Sequence, residues 1–230
     1  MNAAYQVVQR TGKYFAVMSM FCLLLPYSRV SGQEDHHQKV DENAIHLFPK
    51  LTVTLSDFQA DGLVLDIGGG GEGVIGQLKG NQVVAIDINR RELEDAPDGP
   101  LKIVMDATEL GFLNDAFQTV TCFYTLMYIP ENLHTAVLEE VFRVMQPGGV
   151  FRVWDVAYPP RTDPNKEIGA VLLNIKLPDR EINTGYGGKW PVNGRPLSYY
   201  QELAKAAGFQ ISVSRENQHT FHLQLKKPDA

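Results

Sequence analysis

Cysteine is nearly absent: Cys22 and Cys122 are the two in 230 residues. Neither a disulfide scaffold nor a zinc ribbon is open to this chain, which has no CxxC pair and no Cys/His cluster at metal-ligating spacing. Cys122, inside TVTCFYTLMYI, reads as a small buried hydrophobe in a strand. An excess of positive charge is also missing. Lys and Arg number 21 against 27 Asp and Glu, a formal charge of -6, which argues against a dedicated nucleic-acid surface. The apolar stretch from Tyr14 to Leu25 falls short of the roughly 20 residues that a membrane-spanning helix requires. It follows Arg10 and Lys13 and precedes Val30-Ser31-Gly32, the layout of a signal-peptide core with a small-residue cleavage point. An uncleaved anchor or a packed leader fits the same residues. Residues 1–32 are therefore set apart as a leader, and residues 14–25 are the one route foreseen to a membrane.

The remainder is ordinary globular material, 44% hydrophobic and 21% charged, and long enough for one domain with appendages. Residues 33–62 form a small element of their own, with strand-like alternation at Leu51, Val53 and Leu55. From Leu63 onward short apolar runs alternate with helical patterns. LVLDI, QVVAIDI, LKIVMDA, QTVTCFYTLMYI and VFRVWDVAY predict five strands buried on both faces. NLHTAVLEEVFRVM is the clearest helix, with Leu133, Val137, Leu138, Val141 and Val144 or Met145 on one face. LSYYQELAKAAG is another, stopped by Gly208. FQISVSR and HTFHLQLK close the chain as a hairpin, since only a tight turn joins them. The expectation over 63–230 is an α/β domain: a doubly wound, mostly parallel seven-stranded sheet with a C-terminal antiparallel hairpin.

Asp66, Asp87 and Asp106 all end predicted strands, the edge where open sheets of this class bind ligands. Between the first strand and its helix stand four glycines, Gly68 to Gly71, which are costly to order. Such a turn lets a ligand approach the backbone, and its N–H groups at a helix start favour an anionic group. Asp87 is placed to accept from both ribose hydroxyls, and Asp106 from an exocyclic amine, so the site suits an adenosine with a polar tail. Two cofactors fit. Gly68, Gly70 and Gly73 satisfy GxGxxG with Asp87 about 20 residues on, as a dinucleotide site requires. The other is S-adenosylmethionine.

On VLDIGGGGEG, VVAIDIN, KIVMDATEL, DAFQTVTCFYTLMYI and VFRVMQPGGVFRVWD, the chain resembles the class I S-adenosylmethionine-dependent methyltransferases, in their small-molecule, type 11-like branch. These segments run in the family's order from Leu63 to Asp155. The resemblance implies a Rossmann-like fold and gives the residues roles. Asp66 would organise the glycine loop, and Gly68, Gly69 and Gly70 would line the methionine portion. Asp87 would take the ribose, Asp106 with Ala107 the adenine, and Tyr124 would lie near the sulfonium, with Ile88 beside Asp87 a further cofactor contact. One departure is that Glu72 stands at the family's last glycine position, with Gly73 following. That shifts the helix start by a residue or brings a carboxylate to the cofactor's charged tail.

Methyl transfer from a sulfonium needs positioning more than proton transfer, so no catalytic residue is assigned and no metal is expected. Tyr128 and Tyr158, after the fourth and fifth strands, are candidate substrate contacts. So are Tyr186 and Trp190 in the long segment 157–197, which reads as a substrate lid or a surface excursion with its own aromatic cluster. His134 is expected to be solvated or to cap its helix, His219 and His222 to point to opposite faces of the last strand, and His36-His37 to be solvated. The partner foreseen is a small-molecule methyl acceptor, not nucleic acid. An NAD(P)-dependent oxidoreductase is the alternative enzyme, though no Tyr-x-x-x-Lys is recognisable, and a non-catalytic Rossmann-like binding protein is a third reading. The leader points to export or anchoring, whereas the cofactor and the cysteine usage point to the cytoplasm.

Overall fold

The computed structural model describes residues 41–229. The expected leader over 1–32 and the His36-His37 pair lie outside the described residues. In chain order the strands are β1 (Ile45–Leu47), β2 (Leu51–Thr54), β3 (Val64–Ile67), β4 (Val83–Asp87), β5 (Leu101–Val104) and β6 (Phe117–Phe123). They continue with β7 (Met145–Val156), β8 (Ile168–Lys176), β9 (Glu181–Lys189), β10 (Gln210–Asn217) and β11 (Thr220–Lys226). The helices are α1 (Val74–Lys79), α2 (Arg90–Asp95), α3 (His134–Val144) and α4 (Leu197–Ala206). They divide into two compact units, residues 41–56 with 160–192, and residues 57–159 with 193–229.

The larger unit holds a seven-stranded sheet in the order β10-β11-β7-β6-β3-β4-β5. β3 to β7 are parallel, while β11 runs antiparallel to both β7 and β10. The chain winds outward from β3 through β4 to β5, then returns to lay β6 on the other side of β3. The carboxyl ends of β3 and β6 therefore part at a switch point, where this architecture leaves a crevice. One face of the sheet, with Leu65, Ile67, Val120, Cys122, Phe151 and Val153, packs on Val137, Leu138, Val141 and Val144 of α3 and on Leu197, Tyr200 and Ala204 of α4. That is the helical face foreseen from the 3.6-residue spacing, apart from Leu133, which precedes the helix.

No helix joins β5 to β6 among the described residues. The connection through Leu110 and Phe112 is instead tied to α3 by Arg143, whose guanidinium donates to Leu110 O (2.8 Å) and Phe112 O (2.9 Å). Glu140 accepts from the Leu110 amide at 2.7 Å and from Arg143. Arg143→Met should release this loop, seen as faster hydrogen exchange at the Leu110 amide with little change in the β6 amides.

The smaller unit differs from expectation. The segment 157–197, read from the sequence as a lid or a surface excursion, contains β8 and β9, which form an antiparallel hairpin with Ile168 opposite Lys189 and Lys176 opposite Glu181. β1 and β2 pair in parallel with successive halves of β8, so residues distant in sequence build one four-stranded sheet. Its centre is Leu173 and Ile175 on β8, both wholly buried. Trp190, Phe48 and His46 form an aromatic cluster with ring centres 4.7–5.1 Å apart. The glycines of NTGYGGK suggest a mobile loop by composition, yet Gly185 and Gly187 sit opposite Leu172 and Ala170 in the hairpin. Among the described residues no helix is long and apolar enough to cross a membrane.

Candidate functional site

The glycine loop occupies the switch point of the larger unit, and its neighbours explain its composition. Gly68 has φ +70°, the left-handed region that a side chain rarely adopts. A Cβ there would overlap Oγ1 and Cγ2 of Thr125, which follows β6 and donates to Ile67 O at 3.1 Å. A Cβ at Gly69 would lie 2.8 Å from Ala85 Cβ and from Asp66 Oδ2, and one at Gly70 would lie 2.6 Å from Glu92 Cβ and 2.9 Å from Asp87 Oδ2. The space beside these glycines is thus filled by the protein itself. They are required by close packing on Thr125, Asp66 and Glu92, a demand that the protein itself makes at this turn. Gly73, with φ +52°, is the N-cap of α1, so the helix does begin one residue late, after Glu72.

Three successive loop N–H groups, those of Gly69, Gly70 and Gly71, are taken up within the protein, contrary to the expectation of free donors for an anion. Gly69 N donates to Ile86 O (2.9 Å) and Gly71 N to Glu92 O (2.8 Å), while Gly70 N is bonded to the Asp87 carboxylate. The surrounding charge is negative. Asp66 is 2% exposed and Glu92 8% exposed, and the Glu92 Oε2 atom would stand 3.1 Å from a Cβ at Gly71. Burial pushes the Asp66 carboxyl up to about 7, opposed by the 2.7 Å bond from Thr121 and reinforced by the nearby Asp87 charge. Burial also raises Asp87, opposed by the amides of Asn89 (2.8 Å), Gly70 and Ile88. A pyrophosphate would meet spent donors and carboxylates here. The ammonium and sulfonium of S-adenosylmethionine would meet the charge they require, so these residues suit that cofactor better than a dinucleotide, which carries no such cations beside its phosphates.

The adenine end is consistent with that choice. Ile88 stays 52% exposed beside Asp87, an apolar surface at the strand end that a flat ring would cover. Asp106 accepts from the Thr108 amide (2.9 Å) and hydroxyl (2.8 Å), which sets its carboxylate after β5, and Ala107 packs against the core next to it. Among the described residues no three His, Cys, Asp or Glu side chains are gathered as a metal would need.

Residues 65–153 match the family described as a methyltransferase domain. The chain carries a class I S-adenosylmethionine-dependent methyltransferase domain. A sterol methyltransferase-like protein of Botryococcus braunii is 27% identical over 172 residues, 70% of this chain. The chain spans about two fifths (41%) of that relative's length. A solved S-adenosylmethionine-dependent methyltransferase from Methanosarcina mazei superposes with a TM-score of 0.53 at 19% identity, over 75% of this chain and 95% of that one. The cyclase SpnF superposes equally well, with a TM-score of 0.54 at 16% identity over 74% and 76% of the two chains. At such identities the likeness concerns the fold, and the SpnF match shows that this fold does not by itself dictate a reaction.

Within the methyltransferase domain, Tyr124 ends β6 in a left-handed conformation (φ +52°), with its amide donating to Trp154 O at 2.7 Å. Its phenol is buried and hydrogen-bonded with Thr220, and burial pushes its ionisation up. Tyr128 is half-buried in the turn after β6, and Tyr158 is buried after β7. Tyr186 and Trp190 belong to the smaller unit.

His134 overturns its expected role. It is wholly buried, with Nε2 3.0 Å from both Leu126 O and Ile129 O and Nδ1 2.9 Å from the Tyr199 hydroxyl. Burial and the Arg195 charge pull its ionisation down to about 4, so it is neutral at physiological pH. His219 also differs from expectation, since it precedes β11 and only His222 lies on the strand. Glu92, Thr125 and Asp155 escaped the sequence reading altogether, and Arg195 stood out in the sequence only as a companion of Tyr186 and Trp190 in the candidate lid, not as a buried group. NRRELEDA marks a polar helix and NGRP a turn, and neither pattern signals a buried charge.

Proposed function

We propose that this chain transfers the methyl group of S-adenosylmethionine to a small-molecule acceptor, chiefly by holding the two in line. The reading is carried by the glycine loop, whose Gly69, Gly70 and Gly71 amides are spent internally while the carboxylates of Asp66, Asp87 and Glu92 crowd it. When bound, the cofactor supplies an electrophilic methyl on a sulfonium. The protein's part is then placement, which can be equivalent to about 10⁵ M or more of reactant. Asp87 holds the ribose and Asp106 the adenine, and Asp66 supplies charge beneath the amino-acid tail. Tyr128 stands on the acceptor side of the same strand ends. A nicotinamide enzyme is disfavoured by the same spent amides, and nothing in the site calls for a non-catalytic role.

Calorimetric titration of the full chain with S-adenosylmethionine, S-adenosylhomocysteine and NAD tests this reading. The first two should bind at micromolar concentration and NAD should not. Asp87→Ala should weaken both by roughly 10- to 100-fold, the effect of losing hydrogen bonds to a charged group worth about 1.5–3 kcal/mol. Binding of NAD alone would overturn the assignment.

A further inference from the structure

The carboxyl ends of β6 and β7 contain a second polar cluster that the cofactor does not account for. Arg195 is 3% exposed, and its main chain is fixed against the end of β7 by reciprocal hydrogen bonds with Tyr158 (3.0 and 2.7 Å). The guanidinium is poorly served. One nitrogen reaches Met127 O at 3.4 Å, and Nε has no partner. Another nitrogen lies 3.3 Å from His134 Nε2, but that contact cannot be a hydrogen bond. His134 Nε2 faces two carbonyl oxygens, which only accept, so it carries the ring proton and has no lone pair for Arg195.

The carboxylate that feels the Arg195 charge is also committed elsewhere. Asp155, wholly buried at the end of β7, accepts from Val156 N (2.7 Å) and Met127 N (3.3 Å). Its charge is felt by Arg195, yet among the described residues Arg195 forms no ion pair. Five N–H donors are thus buried with one long acceptor between them. Burying such a fork unsatisfied is strongly unfavourable, whereas a planar carboxylate would match it at two points. The rings of Tyr158 and Tyr200, 5.7 and 5.9 Å from the guanidinium carbon, flank it.

We propose that Arg195 is the anchor for a carboxylate on the methyl acceptor, so that the acceptor is a small organic acid. The carboxylate is the handle, and the atom that receives the methyl lies elsewhere on the acceptor. The proposal rests on the methyltransferase reading for the ligand's role, but the anion site itself stands without it. Asp155 balances the arginine's charge at longer range in the empty state, and His134 remains a neutral wall.

The test uses the full chain at constant ionic strength, titrated with formate, benzoate and octanoate and with benzyl alcohol and octanol as neutral counterparts, with and without S-adenosylhomocysteine. At least one carboxylate should bind tenfold or more tightly than its alcohol and should shift the Arg195 Nε–H resonance in ¹⁵N spectra of the wild-type protein. Arg195→Lys and Arg195→Met should each lose that preference by about tenfold, with unchanged affinity for S-adenosylhomocysteine. An Nε–H resonance unmoved by every carboxylate, or an acid preference that survives both substitutions, overturns the proposal. The wild-type resonance decides the matter even if neither variant folds. Failure of S-adenosylhomocysteine to bind while a carboxylate still moves the resonance would remove the cofactor reading and leave the anion site.

Discussion

Gly68→Ala should lower the melting temperature by roughly 5–15 °C, the largest effect expected of any single methyl group added to this chain. Two costs combine. The backbone at this position has φ +70°, and holding a residue with a Cβ there costs about 1–2 kcal/mol. The new Cβ would overlap the Thr125 hydroxyl and methyl and come within 2.8 Å of Thr125 Cβ, an overpacking that costs about 1–3 kcal/mol. Thr125 cannot swing aside freely, because its hydroxyl donates to Ile67 O on the strand that leads into the loop. Thr125→Gly in the Gly68→Ala background should recover the steric part and leave the backbone part, which a double-mutant cycle followed by thermal unfolding separates. An unchanged melting temperature in Gly68→Ala would mean that Thr125 does not lie under the loop.

Asp66→Asn should stabilise the protein at pH 8 by an amount on the order of 4 kcal/mol while weakening its hold on S-adenosylhomocysteine. The folded-state ionisation of Asp66 is raised from 3.8 to about 7 by burial. Between those values the folded protein keeps a proton that the unfolded chain has lost. Stability therefore falls as pH rises through this window, and the whole contribution is gone above about 7. Asparagine keeps an oxygen to accept from Thr121 at the 2.7 Å contact and never ionises. The difference between variant and wild type should be small near pH 4, grow toward pH 7 and then level off. His134 and His222, both held down to about 4, impose the opposite slope between about 4 and 6.5, and Asp155 adds a fall of its own up to about 6. Those contributions are common to both proteins and cancel. Urea unfolding at pH 4, 6 and 8 measures the difference, and a pH-independent gap would show that Asp66 titrates normally. Weaker binding of S-adenosylhomocysteine, whose sulfur is a neutral thioether, is expected from the loss of carboxylate charge near its ammonium group.

The larger unit was readable because its signals are local. β3, β4, β6 and β7 are short branched runs closed by turn residues, and α3 shows its buried face at 3.6-residue spacing. Asp66 is the next-to-last residue of β3, Asp87 the last of β4, and Asp106 lies two residues past β5 rather than at its end, because β5 stops at Val104. The smaller unit was not readable in this way. β8 becomes a central strand because β1 and β2, from more than a hundred residues upstream, pair along one edge and β9 along the other. Neither the glycines of β9 nor the length of the segment announces such partners, since pairing across that distance leaves no period in the chain.

By itself the sequence determined the class of fold, the position of the glycine loop and the acids near the strand ends beside it, because each depends on residues close together along the chain. The tertiary structure alone decided what those glycines touch, that the loop amides are spent, and that His134 and Arg195 are buried beside each other. These are properties of how β3, α2, β6 and β7 pack. A side chain 61 residues from its neighbour leaves no trace of the encounter in the order of the amino acids.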